Sequence, residues 1–279
     1  MEQTSEVQQT NFWIGTWEGG WRAVPLVAML SGAWASARPP ADERLTALAL
    51  AATLILAGWE PLWRAIATTA WVTPLAHWRT WEQEAPPYRW PYLQPGTPGA
   101  ALNHAWGRAR AWWQAVGSVN LSSPLRSAFL ALLVSLLLGV ALGRTAFFLT
   151  LLLLACAQLA ALWDEGRGRP GPFWQAITLV GIPWLLGASL AEETLPLLAP
   201  LAVTLLAGFL AQAGPTALLG PLLAAGFLVW QGHPFAAGVL LLLAFPGLLL
   251  LTQRVEKTAY RQAVALWLIA MLLLVGGTL

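Results

Sequence analysis

The sequence predicts an all-α integral membrane protein with about nine transmembrane helices, and three observations support this fold class. The chain is 57% hydrophobic and only 10% charged, whereas a soluble domain has roughly a quarter of its residues charged. The stretch from Thr194 to Gln253 contains no Asp, Glu, Lys or Arg. Apolar runs close to the ~20 residues that cross a bilayer recur along most of the chain.

The apolar runs define the predicted organisation, a single membrane domain over 1–279. In chain order they cover residues 21–37, 45–71, 125–143, 145–163, 173–191, 195–212, 215–231, 234–252 and 262–279. Several neighbouring runs are separated only by tight Gly or Pro turns, which predicts that adjacent helices are antiparallel.

Two segments outside the runs are predicted to lie at the membrane surface. Residues 1–21 form an interfacial N-terminal segment, because Trp13, Trp17 and Trp21 recur at a spacing of four and indoles favour the headgroup level. Residues 72–124 form a Trp- and Pro-rich cytoplasmic surface segment. Within it, 103–116 reads as a short amphipathic helix with Arg108 able to reach lipid phosphates and Asn103 as its cap. A docking surface for a partner and a plain interfacial anchor both fit this segment.

The basic residues predict the orientation of the chain. Of the 15 Lys and Arg, eleven fall on one side of the predicted spans and three on the other, with Arg64 inside a span. The larger set is Arg22, Arg79, Arg89, Arg108, Arg110, Arg126, Arg167, Arg169, Arg254, Lys257 and Arg261, and the smaller is Arg38, Arg44 and Arg144. By the positive-inside rule, the N-terminus is cytoplasmic and the C-terminus outside, in a bacterial-type inner membrane.

Composition excludes several kinds of chemistry. A net charge of +2 without a basic run argues against nucleic acid as a partner. Cys156 is the single cysteine, so it can form neither a disulfide nor a thiolate metal site within the chain. The sequence holds no Ser–His–acid nucleophile motif and no Gly-rich phosphate loop. No catalytic residue and no metal ligand is therefore predicted.

The clearest candidate site lies in the second apolar run. Glu60 and Arg64 are four residues apart around Pro61, so on a helix they share one face. Ionisable groups within membrane spans are expensive and therefore mark candidate functional sites. The pair either neutralises itself at a kinked helix end or forms the polar wall of a cytoplasm-facing cavity. Trp59, directly before Glu60, is a further candidate ligand contact.

Two other positions are candidate ligand contacts. Trp163, Arg167 and Arg169 lie in or beside a Gly-rich loop after the fourth run, where paired arginines can bind a diphosphate or a lipid phosphate. A solvated turn that follows the positive-inside bias explains the same residues. His233 precedes Pro234 in an outer turn, where it is either an axial ligand to a chlorin or an ordinary turn residue.

Several of these segments resemble the UbiA superfamily of membrane prenyltransferases. The resemblance lies in Asn120 to Arg126 entering the third run, in Leu162-Trp163, in Arg167 to Pro172 and in Gly181 to Gly187. It implies a UbiA-like bundle with an apolar cavity open to the cytoplasm, able to hold an isoprenoid, quinone or pigment tail.

The chain departs from that family where its aspartate-rich motifs hold magnesium. Gly58 to Arg64 and Gln212 to Thr216 stand at the two expected places, and Glu60 is their single carboxylate. A departing diphosphate needs cationic stabilisation from oxygen-ligated Mg²⁺. The resemblance with this departure therefore predicts no Mg²⁺ site.

Two functional hypotheses follow. The first is a non-catalytic UbiA-like protein that serves as a structural or accessory subunit of a larger membrane complex, contacts membrane lipids and other membrane subunits, and binds an isoprenoid, quinone, pigment or lipid. The alternative is an atypical membrane prenyltransferase or lipid-phosphate transferase, with Arg64, Arg167 and Arg169 on the phosphate and Glu60 as a base or lone metal ligand. A transporter fits less well, because mid-membrane polar residues are scarce.

Overall fold

The computed structural model describes residues 20–35, 42–83, 85, 96–168, 170–190, 198–212, 214–253 and 255–279. Within these ranges the chain is helical and contains no β-strand. Five helices are long and apolar enough to cross a membrane, namely Arg44–Ala67, Ser122–Leu142, Arg144–Trp163, Pro234–Thr252 and Ala259–Thr278. The prediction of an all-α membrane protein is confirmed at this level.

Eleven helices in the described part of the chain are numbered α1 to α11 in chain order. They are α1 (Val24–Ala35), α2 (Asp42–Thr53, continued by a π-helical turn Leu54–Trp59 into Glu60–Ala67), α3 (Val72–Arg79), α4 (Pro98–Trp112), α5 (Ser122–Leu142), α6 (Arg144–Trp163), α7 (Pro172–Ala176, continued by a π-helical turn Ile177–Gly181 into Ile182–Ser189), α8 (Leu198–Leu210), α9 (Leu219–Trp230), α10 (Pro234–Thr252) and α11 (Lys257–Thr278).

Each of the nine apolar runs contains a helix, but five of these helices are short or interrupted by a π-helical turn. Val24–Ala35, Leu198–Leu210 and Pro215–Trp230 are apolar helices shorter than a full span. The other two, α2 and α7, are each divided by a π-helical turn. Proline and glycine account for the interruptions, since Pro183 lacks a backbone N–H and Pro215 follows Gly214.

The helix α1 is the centre of the bundle, with α7 on one side and α11 on the other. Its residues Val24, Ala28 and Ser31 are completely buried. Glycines bring the backbones into direct contact: a Cβ at Gly187 of α7 would lie 2.8 Å from the Ala33 nitrogen. Such small-residue contacts replace the hydrophobic driving force that helices lack in lipid.

Contacts along α1 and α11 fix their relative direction. Near the start of both helices, the Trp21 indole donates a hydrogen bond of 2.9 Å to the Arg261 carbonyl. Further along, the Ser31 hydroxyl donates to the Leu272 carbonyl at 2.6 Å. The two helices therefore run parallel.

A second set of contacts orients α2, α5 and α6. Trp59 contacts Thr150, and one turn later Trp63 packs in the same cluster as Ala157 and Ala160, so α2 and α6 are parallel. Helix α5 is antiparallel to α6, because a Cβ at Gly139 near its end would lie 3.1 Å from Thr150 near the start of α6. These directions are those of helices that alternate across a membrane.

The surface segment contains α3 and α4, and its amphipathic helix begins earlier than predicted. Thr97, not Asn103, caps α4, because its side chain accepts a hydrogen bond from the Ala100 N–H and Pro98 suits the first turn. The N-terminal segment 1–19, with Trp13 and Trp17, lies outside the described residues. Trp21 at its end is buried against α11.

Candidate functional site

Two π-helical turns border the candidate site, one in α2 and one in α7. In each, an N–H donates to a carbonyl five residues back: Glu60 to Ile55, and Ile182 to Ile177. A proline follows immediately, Pro61 in one helix and Pro183 in the other. Because proline offers no N–H, the preceding turn is free to widen, and such turns frequently occur at functional sites.

A cleft lies between α1, α2, α6 and α7 at the level of these turns. The space inside it measures about 10 Å³, roughly the room that one water molecule needs. Its lining is apolar apart from one carboxylate and one hydroxyl, and comprises Pro25, Ile55, Trp59, Glu60, Trp63, Leu153, Thr178, Leu179 and Pro183. Pockets for drug-sized ligands are usually larger, roughly 300–1,000 Å³. The cleft is thus a small apolar groove that has no room for a ring system or a whole chain unless it widens.

The Glu60 carboxylate accepts a hydrogen bond from the Arg64 guanidinium one turn along α2. Glu60 is 15% exposed in its side chain and lines the cleft, whereas Arg64 is 48% exposed. The predicted i,i+4 pair is therefore formed. The ion pair balances the charge of Glu60, the single carboxylate in the lining, and leaves the Arg64 guanidinium on the exposed side.

Trp59 is buried and already has a hydrogen-bond partner. Its indole donates to the Thr150 hydroxyl of α6 at 3.1 Å, and that hydroxyl donates to the Ala146 carbonyl at 2.9 Å. The Trp59 ring therefore lines the cleft, whereas its N–H is bonded to Thr150 and is not available to a ligand there. Its polar atom holds α2 against α6.

The loop 164–168 packs against the end of α2. Three residues of this loop have left-handed backbone conformations: Glu165 (φ 51°), Gly166 (φ 67°) and Gly168 (φ 76°). The Gly166 carbonyl accepts a hydrogen bond of 3.2 Å from the Val72 N–H. A Cβ at Gly168 would lie 2.6 Å from the Thr68 carbonyl. Glycine is required at position 168 because its backbone touches that of Thr68 and leaves no space for a Cβ atom.

The loop does not bring its charged side chain to Glu60. Arg167 forms an ion pair with Glu165 within the loop, and both side chains are about two-thirds exposed, at 67% and 69%. Trp163 is 80% exposed. Arg169, the second predicted arginine, lies outside the described residues. Since Thr68 is one turn beyond Arg64, the loop and Arg64 share one end of the bundle.

His233 lies at the opposite end, in an exposed turn between α9 and α10. Its N–H donates to the Leu228 carbonyl at 2.8 Å, and its own carbonyl accepts from the Ala237 N–H at 3.1 Å. Its backbone thus ends α9 and starts α10. The structure describes no group of three His, Cys, Asp or Glu that could hold a metal ion.

Seven residues of the cleft lining were not predicted from the sequence: Pro25, Ile55, Trp63, Leu153, Thr178, Leu179 and Pro183. They come from four helices, so no local motif joins them. A usable signal was the recurrence of Gly followed by proline within an apolar run, in Gly58 to Pro61 and Gly181 to Pro183. Such a pattern favours a wide turn in the middle of a helix.

No family model, no curated protein and no solved structure matches this chain. The fold places the chain among the all-α membrane proteins. The site is described from its own geometry.

Proposed function

We propose that this chain is a UbiA-like bundle of nine membrane-crossing helices that acts as a non-catalytic structural or accessory subunit of a larger membrane complex. The alternating directions of α2, α5 and α6, and the parallel pair α1 and α11, support nine crossings. The first and ninth crossings run the same way in such an arrangement.

The Glu60–Arg64 pair carries the proposal of a non-catalytic role. In the described lining, Glu60 is the one acidic group, and it is neutralised by a residue of its own helix. A general base or metal ligand needs its lone pairs directed at a substrate or an ion. Here one carboxylate oxygen is directed at Arg64.

The apolar lining of the cleft supports binding of an apolar chain, which would widen the cleft on entering it. Its proline, leucine and tryptophan side chains form a surface suited to an acyl or isoprenoid tail. A lipid, an isoprenoid, or the tail of a quinone or pigment would bind through that tail. His233 as a chlorin ligand would constitute a separate site, because it is at the other end of the bundle.

The charge distribution supports a cytoplasmic location for the end that carries Arg64 and Arg167. Trp21, Arg261 and Ala211 are joined at that same end, where the Arg261 guanidinium donates to the Ala211 carbonyl at 3.3 Å. The opposite end carries Arg44 and Arg144 among the described basic residues. The positive-inside rule then gives a cytoplasmic N-terminus and an outer C-terminus.

The accessory role is tested by purifying the tagged chain from its own membrane in nanodiscs and recording native mass spectra. The proposal predicts a complex with another membrane subunit at fixed stoichiometry, absent when an unrelated tagged polytopic protein is purified in parallel. A lone chain that turns over a prenyl diphosphate would contradict it.

The apolar ligand is tested with a substitution that fills the cleft. Leu179→Trp is expected to abolish retention of any co-purifying lipid or isoprenoid bound there. Leu223→Trp, on the exposed side of α9, is the matched control and is expected to retain it. Equal retention by both variants would place the ligand elsewhere.

The alternative, an atypical prenyl or lipid-phosphate transferase, is favoured by one observation. Arg64 and the Arg167 loop lie at the same end, where they could receive a phosphate together. In that case Glu60→Gln and Arg167→Ala would each abolish turnover without altering expression. Unchanged turnover in both variants would reject these roles.

A further inference from the structure

The surface segment contains a cluster centred on Trp78 of α3. The Arg108 guanidinium of α4 lies over the Trp78 ring, with its carbon 5.0 Å from the ring centroid. One Arg108 Nη donates to the Trp78 carbonyl at 3.1 Å. The Trp112 ring meets Trp78 edge-on, with centroids 5.7 Å apart and planes at 77°. Trp78 thus holds α4 against α3.

Three N–H donors of this cluster have no hydrogen-bond acceptor in the part of the chain that the structure describes. They are Trp81 Nε1, Arg108 Nε and Trp112 Nε1. Trp81 follows the cluster directly along the chain, and its backbone N–H donates to the Trp78 carbonyl at 3.4 Å, the same oxygen that Arg108 contacts. Buried donors in folded proteins nearly always have an acceptor, so three unpaired donors this close in the sequence and fold indicate a missing binding partner.

We infer that this cluster binds the phosphate group of an anionic membrane lipid. A phosphate offers several acceptor oxygens and a negative charge, which match the two indole N–H groups and the Arg108 guanidinium. A neutral acceptor would satisfy the indoles but would leave the Arg108 charge unbalanced. Arg108 forms no ion pair with the described residues.

The surroundings of the cluster favour a lipid as the source of the phosphate. On α4, Leu102 is 73% exposed and Trp106 is 62% exposed, and on α3 Leu75 is 51% exposed. Exposed leucine and indole side chains beside a basic group are typical of a surface that lies at the headgroup level. A lipid bound there places its phosphate at Arg108 and its chains along these side chains.

The donor atoms are covered, although their side chains are partly exposed. Binding of a phosphate therefore requires the groups that cover these donors to move aside. This site is independent of the proposed function, because it lies outside the cleft and does not require a partner subunit.

The test uses the full chain in nanodiscs of phosphatidylcholine with a minor fraction of phosphatidylglycerol, released into a native mass spectrometer. The wild-type chain is expected to retain phosphatidylglycerol in preference to phosphatidylcholine. Arg108→Gln should weaken that retention about tenfold or more, and Trp112→Phe, which keeps a ring but loses the N–H, about fivefold.

Two matched controls separate a built site from general attraction. Arg110→Gln removes the same charge two residues along α4, and Trp230→Phe makes the same change at an exposed indole at the opposite end of the bundle; both should retain the lipid as the wild type does. Equal loss in Arg108→Gln and Arg110→Gln, or no preference for phosphatidylglycerol, would overturn the inference. Trp112→Phe and Trp81→Phe decide it if Arg108→Gln does not fold.

Inorganic phosphate distinguishes the two sources of the ligand. Adding it in large excess should leave the bound phosphatidylglycerol in place, because the lipid chains contribute to binding. Displacement of the lipid by inorganic phosphate would overturn the lipid assignment and identify a site for free phosphate.

Discussion

The indole Nε1 of Trp184 lies 3.3 Å from the hydroxyl oxygen of Ser31, at the point where α1, α7 and α11 meet. That hydroxyl donates in turn to the Leu272 carbonyl at 2.6 Å. One serine therefore connects three helices through a chain of hydrogen bonds in a fully buried environment.

Ser31→Ala should destabilise the bundle by about 1–2 kcal/mol, because it leaves the Trp184 N–H and the Leu272 carbonyl with one partner fewer. Thermal unfolding in detergent measures the effect. Ser127→Ala, on the exposed side of α5, is the control and should leave the midpoint unchanged. Equal midpoints for the two variants would show that the three-helix contact contributes nothing.

Gly187→Ala should disrupt the contact between α7 and α1. The new Cβ would lie 2.8 Å from the Ala33 nitrogen and closer still to the Met29 carbonyl oxygen, and both neighbours are backbone atoms. Forcing the helices apart costs about 1–3 kcal/mol or more. The yield of monodisperse protein and its unfolding midpoint measure this cost.

Gly226→Ala is the matched control for that substitution, because nothing lies within 4 Å of its added Cβ. In an open helical position, alanine should stabilise by about 0.5–1 kcal/mol. A Gly187→Ala variant as stable as Gly226→Ala would show that α1 and α7 are not in backbone contact.

Arg64→Gln should destabilise the protein more than Glu60→Gln. Without Arg64, the Glu60 carboxylate loses its ion-pair partner in a cleft where its side chain is only 15% exposed, whereas Arg64 alone is 48% exposed and can reach water or headgroups. Truncation that leaves a buried charge unpaired is the costlier direction. The double variant should recover most of the loss, and chemical or thermal unfolding of all four proteins gives the coupling.

Gly168→Ala should release the loop that carries Arg167 from the end of α2. Its φ of 76° disfavours any side chain, and its Cβ would meet the Thr68 carbonyl at 2.6 Å. Gly143→Ala, also at positive φ but with open space around its Cβ, isolates the backbone term. Limited proteolysis at the loop should accelerate in Gly168→Ala only; equal rates in both variants would reject the contact.

Hydropathy and turn residues predicted the long helices within a few residues. The run 145–163 corresponds to Arg144–Trp163, and 234–252 coincides with Pro234–Thr252. The run 45–71 ends early, at Ala67, because the Gly166 and Gly168 backbones pack on the chain beyond it. That contact is between distant parts of the sequence, so no local pattern encodes it.

The candidate site was predicted in part. The spacing of Glu60 and Arg64 was sufficient to predict their ion pair, since i,i+4 geometry is a property of one helix. The same reasoning could not predict that Arg167 would pair with Glu165, which depends on the left-handed turn at Glu165 and Gly166. Nor could it predict the partner of Trp59, because Thr150 comes from another helix.

The arrangement of nine crossings is tested most directly by cysteine labelling from each side of sealed membranes. In a Cys156→Ala background, single cysteines replace Arg167 and Gln253 at one end, and Arg144 and His233 at the other. An impermeant maleimide should label positions 167 and 253 from the cytoplasmic side only, and positions 144 and 233 from the outside only. Labelling of 253 and 233 from the same side would contradict the proposed topology.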